Sequence, residues 1–160
     1  MFGFGKKSKQ SKILATQTGK IIPLNEVPDE AFAEKMLGDG IAILPEDGKI
    51  YSPISGEIAD ITDTLHAFCI ASDDGLDVLV HVGINTVELK GEGFKVFVKT
   101  GDKVKAGDLI AEADLDFIKS KGYPLYTPTL ITNMDAIKEI EPQSGDAKAG
   151  ETVVLKYTKN

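Results

Sequence analysis

Histidine and cysteine are almost absent from this 160-residue chain, which carries two of the first and one of the second. With Cys69 alone, no internal disulfide can form, and a reducing compartment is implied. Long apolar runs are missing too. Nothing approaches the roughly 18–20 consecutive apolar residues of a spanning helix, and the start from Met1 to Lys12 lacks the apolar stretch of a secretory signal. A cytoplasmic location is therefore expected. A basic balance is likewise lacking: the net charge is −7. Nucleic-acid binding is not expected, because neutralising phosphates needs a cationic surface; a positively charged partner fits better. Two catalytic signatures are also missing. No Gly-x-Ser-x-Gly elbow occurs, and Gly91-Glu-Gly93 lacks both the Gly-Lys and the strand-to-helix setting of a phosphate loop.

What is present is ordinary globular material, 42% apolar and 27% charged, of a length that fits one domain with a proper core. Residues 1–12 read as a flexible basic tail; their lysines and two phenylalanines also allow a weak contact with anionic lipid. Residues 13–160 read as a single domain. Short β-branched runs such as Gly40–Leu44, Gly56–Ile61, Val78–Val82 and Thr127–Ile131 alternate with turn signals such as Glu46-Asp-Gly48 and Thr100-Gly-Asp102. The expectation is an all-β fold, an antiparallel β-sandwich of short strands. A few helical turns are expected at Pro28–Ala33, Asp114–Lys121 and Met134–Ile140. Two internal echoes support related hairpin units: Ala15–Ile21 resembles Ser52–Ile58, and Val104–Ile110 resembles Ala147–Val153.

Both histidines fall in one hairpin, where Thr64–Ala71 and Leu76–Val82 flank Ser72-Asp-Asp-Gly75. An Asp73-Asp74 turn sets His66 opposite His81, whereas an Asp74-Gly75 turn sets it opposite Gly83. Period-two alternation keeps the rings on one face in either register. At about 4.5–8 Å between Cβ atoms they can share an anion, a proton or a metal ion. A neutral imidazole at His81, in a strand apolar on both faces, keeps the free lone pair a nucleophile needs. A phosphoryl group there would meet His66, which Thr64 is placed to orient. Zinc is disfavoured because no third histidine exists and Cys69 has the opposite parity to His66. Gly38-Asp39-Gly40 reads as a turn whose carboxylate is available to a basic partner.

Phe32–Ile43 resembles the N-terminal signature of the glucose-family IIA component of the bacterial phosphoenolpyruvate-dependent sugar phosphotransferase system. Asp77-Val-Leu-Val-His-Val-Gly through Phe94 resembles that family's active-site signature, and Thr64–Phe68 and Thr132–Asp135 match further segments. The resemblance implies a β-sandwich with both histidines in a shallow apolar cleft. It implies that His81 accepts a phosphoryl group on Nε2 from the carrier HPr and passes it to a cysteine of a IIB domain. His66 would stabilise that group, with Thr64 as its support. Asp39, Val82 and Asn85 are expected to meet partners. Asn85 stands where many members carry aspartate, which should weaken or retune an ionic contact. No cofactor or metal is implied, regulatory partners are possible, and the membrane is reached through the permease. The competing reading is a noncatalytic biotinyl- or lipoyl-like carrier, since Val104–Ile110 and Pro53–Ile58 echo such barrels, although Asp146-Ala-Lys148 only scrambles their lysine motif.

Overall fold

Runs of β-branched residues broken by Asp-Gly and Gly-Asp pairs produce short strands. The computed structural model, which describes residues 11–160, contains fourteen of them. Strands β1 (Ser11–Leu14), β14 (Val153–Lys159) and β12 (Ile137–Pro142) form one sheet. A second holds β4 (Lys49–Tyr51), β10 (Leu109–Ala113) and β8 (Phe94–Val96). The third has eight strands in the order β13 (Gly145–Ala147), β2 (Gly19–Pro23), β3 (Asp39–Pro45), β11 (Thr127–Ile131), β7 (Asp77–His81), β6 (Ala67–Ser72), β5 (Gly56–Ile61) and β9 (Lys103–Val104). Every pairing is antiparallel. The helices are two short pieces, α1 (Glu30–Ala33) and α2 (Leu115–Ser120), each capped by the aspartate before it.

Strand alternation divides the large sheet's side chains between two apolar clusters. On the inner face Phe68, Ile70, Val78, Val80, Ile41, Ile43 and Ile131 join Ile13, Ile50, Ile110, Leu155 and Tyr157 from the smaller sheets in the main core. Each fully buried side chain of this kind contributes about 1.5–3 kcal/mol. On the outer face a smaller cluster of Leu24, Val27, Phe32, Ala42, Ile84 and Leu130 lies beneath α1 and the 3₁₀ turn Leu24–Glu26. This outer cluster is where the histidines sit.

The sequence echoes correspond to a repeated backbone arrangement. Ala15 N donates to Thr152 O and Gly150 N to Ala15 O. In the same way Ser52 N donates to Asp108 O and Gly107 N to Ser52 O, all at 2.8–2.9 Å. Two expectations change, and two strands appear that the sequence did not suggest. Ser11 and Lys12 belong to β1, paired with Tyr157 and Lys156, so the proposed tail loses its last two residues; its remainder, and any lipid contact, lies outside the described residues. Met134–Ile140 is helical only as a 3₁₀ turn over Met134–Ala136, after which β12 begins. The short strands β9 and β13, at two and three residues, are too brief for periodicity to reveal.

The hairpin carrying the histidines is tied to the C-terminal strand. Ser72 Oγ and Tyr157 OH (2.7 Å) both donate to the Asp74 carboxylate, and Lys159 Nζ donates to the Asp74 carbonyl. Burial pushes the Asp74 carboxyl up, but the two hydroxyls and the Lys159 charge outweigh it and hold it below its usual value. Tyr157 is raised, by burial first and then by Asp74. Tyr157→Phe should therefore cost about 1.5–2 kcal/mol at neutral pH, because the lost bond is to a charged acceptor. The folded-state pKa of Asp74 lies below its unfolded value of about 3.9. Its contribution is full above that value and fades as the pH falls through the lowered one. Urea unfolding of both proteins across pH should show the gap closing in acid; a gap unchanged there would remove Asp74 from the account.

Candidate functional site: a histidine pair on the outer sheet face

The Ser72–Leu76 turn sets the hairpin register. Ser72 N donates to Leu76 O and Gly75 N to Ser72 O, so the loop is the three residues Asp73, Asp74 and Gly75. Gly75, at φ +95°, occupies the left-handed position that such a loop reserves for glycine. Neither two-residue turn forms. The expectation places His66 opposite His81 or Gly83, but Ala67 is the residue opposite His81, and strict alternation would have parted the two rings. They meet because the chain leaves strand geometry just before β6: Leu65 has φ +63° and His66 lies outside the strand. The ring centroids are 4.7 Å apart and nearly perpendicular, at 83°. The same register places Cys69 on the face of His81, not away from it. Burial first, then Asp77 and Asp60, push its thiol pKa up, so it is a poor nucleophile.

Each ring has a defined partner. Nδ1 of His81 is 2.8 Å from the Gly83 carbonyl. A carbonyl can only accept, so the neutral ring carries its proton on Nδ1 and its lone pair on Nε2. Burial lowers the His81 pKa; the Gly83 bond and the Asp29 charge push back without cancelling it. His66 is buried, with Nδ1 2.8 Å from Thr64 Oγ1 and 3.4 Å from Thr62 Oγ1. Its pKa falls to about 4 through burial and then through His81. Both rings are therefore neutral at pH 7. When the Thr64 hydroxyl donates to Nδ1, His66 presents Nε2–H as a donor beside His81. The structure thus brings together His81, His66 and Thr64.

The three remaining sequence candidates fare differently. Val82 is 2% exposed and packs in the main core, so its side chain offers nothing to a partner; a strand apolar on both faces already signalled burial. Asn85 is exposed beside the site at φ +62°, a conformation asparagine adopts readily. Asp39 stays away. It begins β3 opposite Ile131, which pairs with Val78, three residues before His81 and toward the other end of β7. Its Oδ1 accepts from Gly40 N at 2.8 Å and lies 3.6 Å from Lys35 Nζ. The carboxylate whose charge reaches His81 is Asp29, the cap of α1. From α1 itself, Phe32 packs edge-to-face with His81, the ring centroids 5.0 Å apart and the planes inclined at 60°. Both were missed, although the sequence marked the Pro28–Ala33 turn, because local pattern does not say where a short helix packs.

His66 is buried and His81 half-buried. A cavity of about 840 Å³ lies elsewhere, among Glu46, Asp47, Phe94, Glu112, Asp116 and Lys119, and no histidine lines it. Exposed Met36 and Leu37 follow α1, and exposed Val87 follows Asn85. Among the described residues no cluster of histidine, cysteine and carboxylate suits a metal, and no helix is long and apolar enough to cross a membrane.

The molecule is an antiparallel β-sandwich with an imidazole pair in contact on the outer face of its large sheet. The family described as phosphoenolpyruvate-dependent sugar phosphotransferase system, EIIA 1, matches residues 11–137. The glucose-specific EIIA component of Buchnera aphidicola is 46% identical over 148 residues, 92% of either chain. The solved glucose permease IIA from Mycoplasma capricolum superposes with a TM-score of 0.87 at 38% identity, covering 97% of this chain and 99% of that one. In Streptococcus pneumoniae a glucose-specific EIICBA component is 43% identical over 150 residues, 94% of this chain but 21% of that longer protein. This chain belongs to the EIIA family of the phosphoenolpyruvate-dependent sugar phosphotransferase system, and its role is that of a phosphotransferase component in sugar uptake.

Proposed function

We propose that the chain relays a phosphoryl group through Nε2 of His81, taking it from the phosphohistidine of the cytoplasmic carrier HPr and delivering it to a cysteine of a glucose-type IIB domain. The observation that carries this reading is the 2.8 Å bond from His81 Nδ1–H to the Gly83 carbonyl, which leaves Nε2 unprotonated and free to attack. In the first step the Nε2 lone pair bonds to phosphorus as the N–P bond of the carrier breaks, and the carrier imidazole leaves with the electron pair. In the second, a cysteine thiolate attacks phosphorus and the His81 Nε2–P bond breaks, restoring the neutral ring. Positioning and charge stabilisation suffice for such a loose transition state. His66 Nε2–H donates to a phosphoryl oxygen, and Thr64 holds that tautomer. The apolar side chains of Met36, Leu37 and Val87 exclude water around the docked partner and slow hydrolysis.

Docking to a basic carrier surface falls to Asp29, with the exposed Asn85 supplying hydrogen bonds where a carboxylate would add charge. Fusion of this unit with B and C parts in the EIICBA relatives supports a IIB domain as acceptor. Phosphorylation state also gives regulatory partners a signal to read. Lys148, the residue nearest a carrier-lysine motif, stands in Asp146-Ala-Lys148, which scrambles that motif, so the lysine-carrier alternative gains nothing. The test is a chase. Protein phosphorylated with phosphoenolpyruvate and the general carriers is mixed with purified IIB domains, and acid-labile phosphate should leave His81 for a glucose-type IIB cysteine. Label that stays on this protein with every IIB domain would overturn the relay.

A further inference from the structure

His81 is a nucleophile at Nε2 only while its Nδ1–H stays on the Gly83 carbonyl, so whatever fixes that carbonyl governs the reaction. Gly83 sits between two peptide planes at φ +80°. The later plane is held by Ile84 N donating to Pro124 O at 3.0 Å. The earlier one is held on its amide side by Gly83 N donating to Tyr126 O at 2.9 Å, and on its carbonyl side by Thr86 Oγ1 donating to Val82 O at 2.6 Å. Thr86 is completely buried, and its methyl fills the space where any side chain on residue 83 would stand: a Cβ there would lie 2.4 Å from Thr86 Cγ2.

This is an unusual task for a threonine that opens the 3₁₀ turn Thr86–Leu89. Hydroxyls near a helix start ordinarily cap free amides. Here the residue before it, Asn85, makes no side-chain capping bond, and the Thr86 hydroxyl turns back four residues to the Val82 carbonyl instead. Packing alone would be met equally well by valine, which has the same shape. The hydroxyl therefore serves the carbonyl.

Building on the relay through His81, we infer that Thr86 is a positioning residue for phosphoryl transfer, acting through the Val82–Gly83 peptide to hold His81 in the Nδ1–H tautomer. Removing the hydroxyl leaves the Val82 carbonyl buried and unpaired, so the peptide rotates to seek a donor. The Gly83 carbonyl then moves off Nδ1, and part of the His81 population takes its proton on Nε2, where it cannot attack.

Nitrogen NMR of the His81 ring, read beside phosphorylation kinetics, tests this in the full chain. Thr86→Val should show mixed His81 tautomers and an about tenfold lower rate at saturating donor, with the donor KM changed less than about twofold. Thr86→Ser, which keeps the hydroxyl, should retain the wild-type tautomer and rate. If Thr86→Val does not fold, Thr86→Ala removes the same hydroxyl and carries the same expectation. A hydroxyl-less variant with the wild-type tautomer and rate overturns the inference, as does a serine variant that falls as far as valine. The relay itself fails in a different way: wild-type His81 takes no phosphate, while the tautomer still shifts on losing the hydroxyl.

Discussion

His81→Gln is expected to take up phosphate at least about a thousandfold more slowly than the wild type, which in a gel assay reads as none. The glutamine amide nitrogen has its lone pair drawn into the carbonyl and is no nucleophile at any accessible pH. His66 does not substitute. It is 5% exposed, its Nδ1 is occupied by Thr64, and its remaining nitrogen serves as a donor rather than an attacking group. His81, by contrast, is partly exposed at the end of β7, with Nε2 uncommitted. The variant should fold normally, because position 81 is on the outer face opposite Ala67 and the glutamine amide can replace the bond to the Gly83 carbonyl. Phosphoenolpyruvate, the general carriers and a filter assay for acid-labile label decide the matter, with circular dichroism as the folding control. Label at the wild-type level would move the nucleophile to another residue. Acid-stable label would remove phosphohistidine chemistry altogether.

Histidine is so scarce that the sequence singles out this pair, yet the geometric argument that brings the rings together needs correction. Hairpin rules offer a two-residue turn at Asp73-Asp74 or at Asp74-Gly75, whereas all three residues form the loop, with glycine in the left-handed position. One residue of register exchanges the faces of a strand, so the reading also sent Cys69 to the wrong side. The rings still meet, through the backbone departure at Leu65, which no period-two argument contains. The strand inventory was more robust, since β-branched runs between glycine-containing turns specify strands locally. Asp29 and Phe32 were invisible for the converse reason. Their role depends on α1 folding across the outer cluster onto His81, and a four-residue helix carries no pattern that names its partner. Asp39 looked plausible because a Gly-Asp-Gly turn is accessible; only the pairing of β3 with β11 shows that it starts a strand away from the imidazoles.

For His66→Gln the expected result is a split phenotype: phosphate is still accepted from the carrier, but onward transfer to a IIB domain slows by about a hundredfold. Acceptance survives because the glutamine amide can still donate one hydrogen bond to a phosphoryl oxygen, and because His81 keeps its tautomer through Gly83 rather than through His66. Delivery suffers for an electrostatic reason. In the free protein His66 is neutral, its pKa lowered to about 4 by burial first and then by the neighbouring His81. A phosphoryl dianion on the ring 4.7 Å away brings negative charge where a neutral ring stood and raises the His66 pKa. The imidazole then gains positive character as charge builds on the transferring oxygens. Glutamine has no such second state, so it binds the ground state yet gives nothing extra to the transition state. Rapid-quench measurement of the two half-reactions separates them. The phosphorylated variant should also accumulate, since its formation outpaces its discharge. Unimpaired transfer to IIB would leave His66 as a packing neighbour only. Equal loss in both half-reactions would mean that it positions His81 before any phosphate arrives.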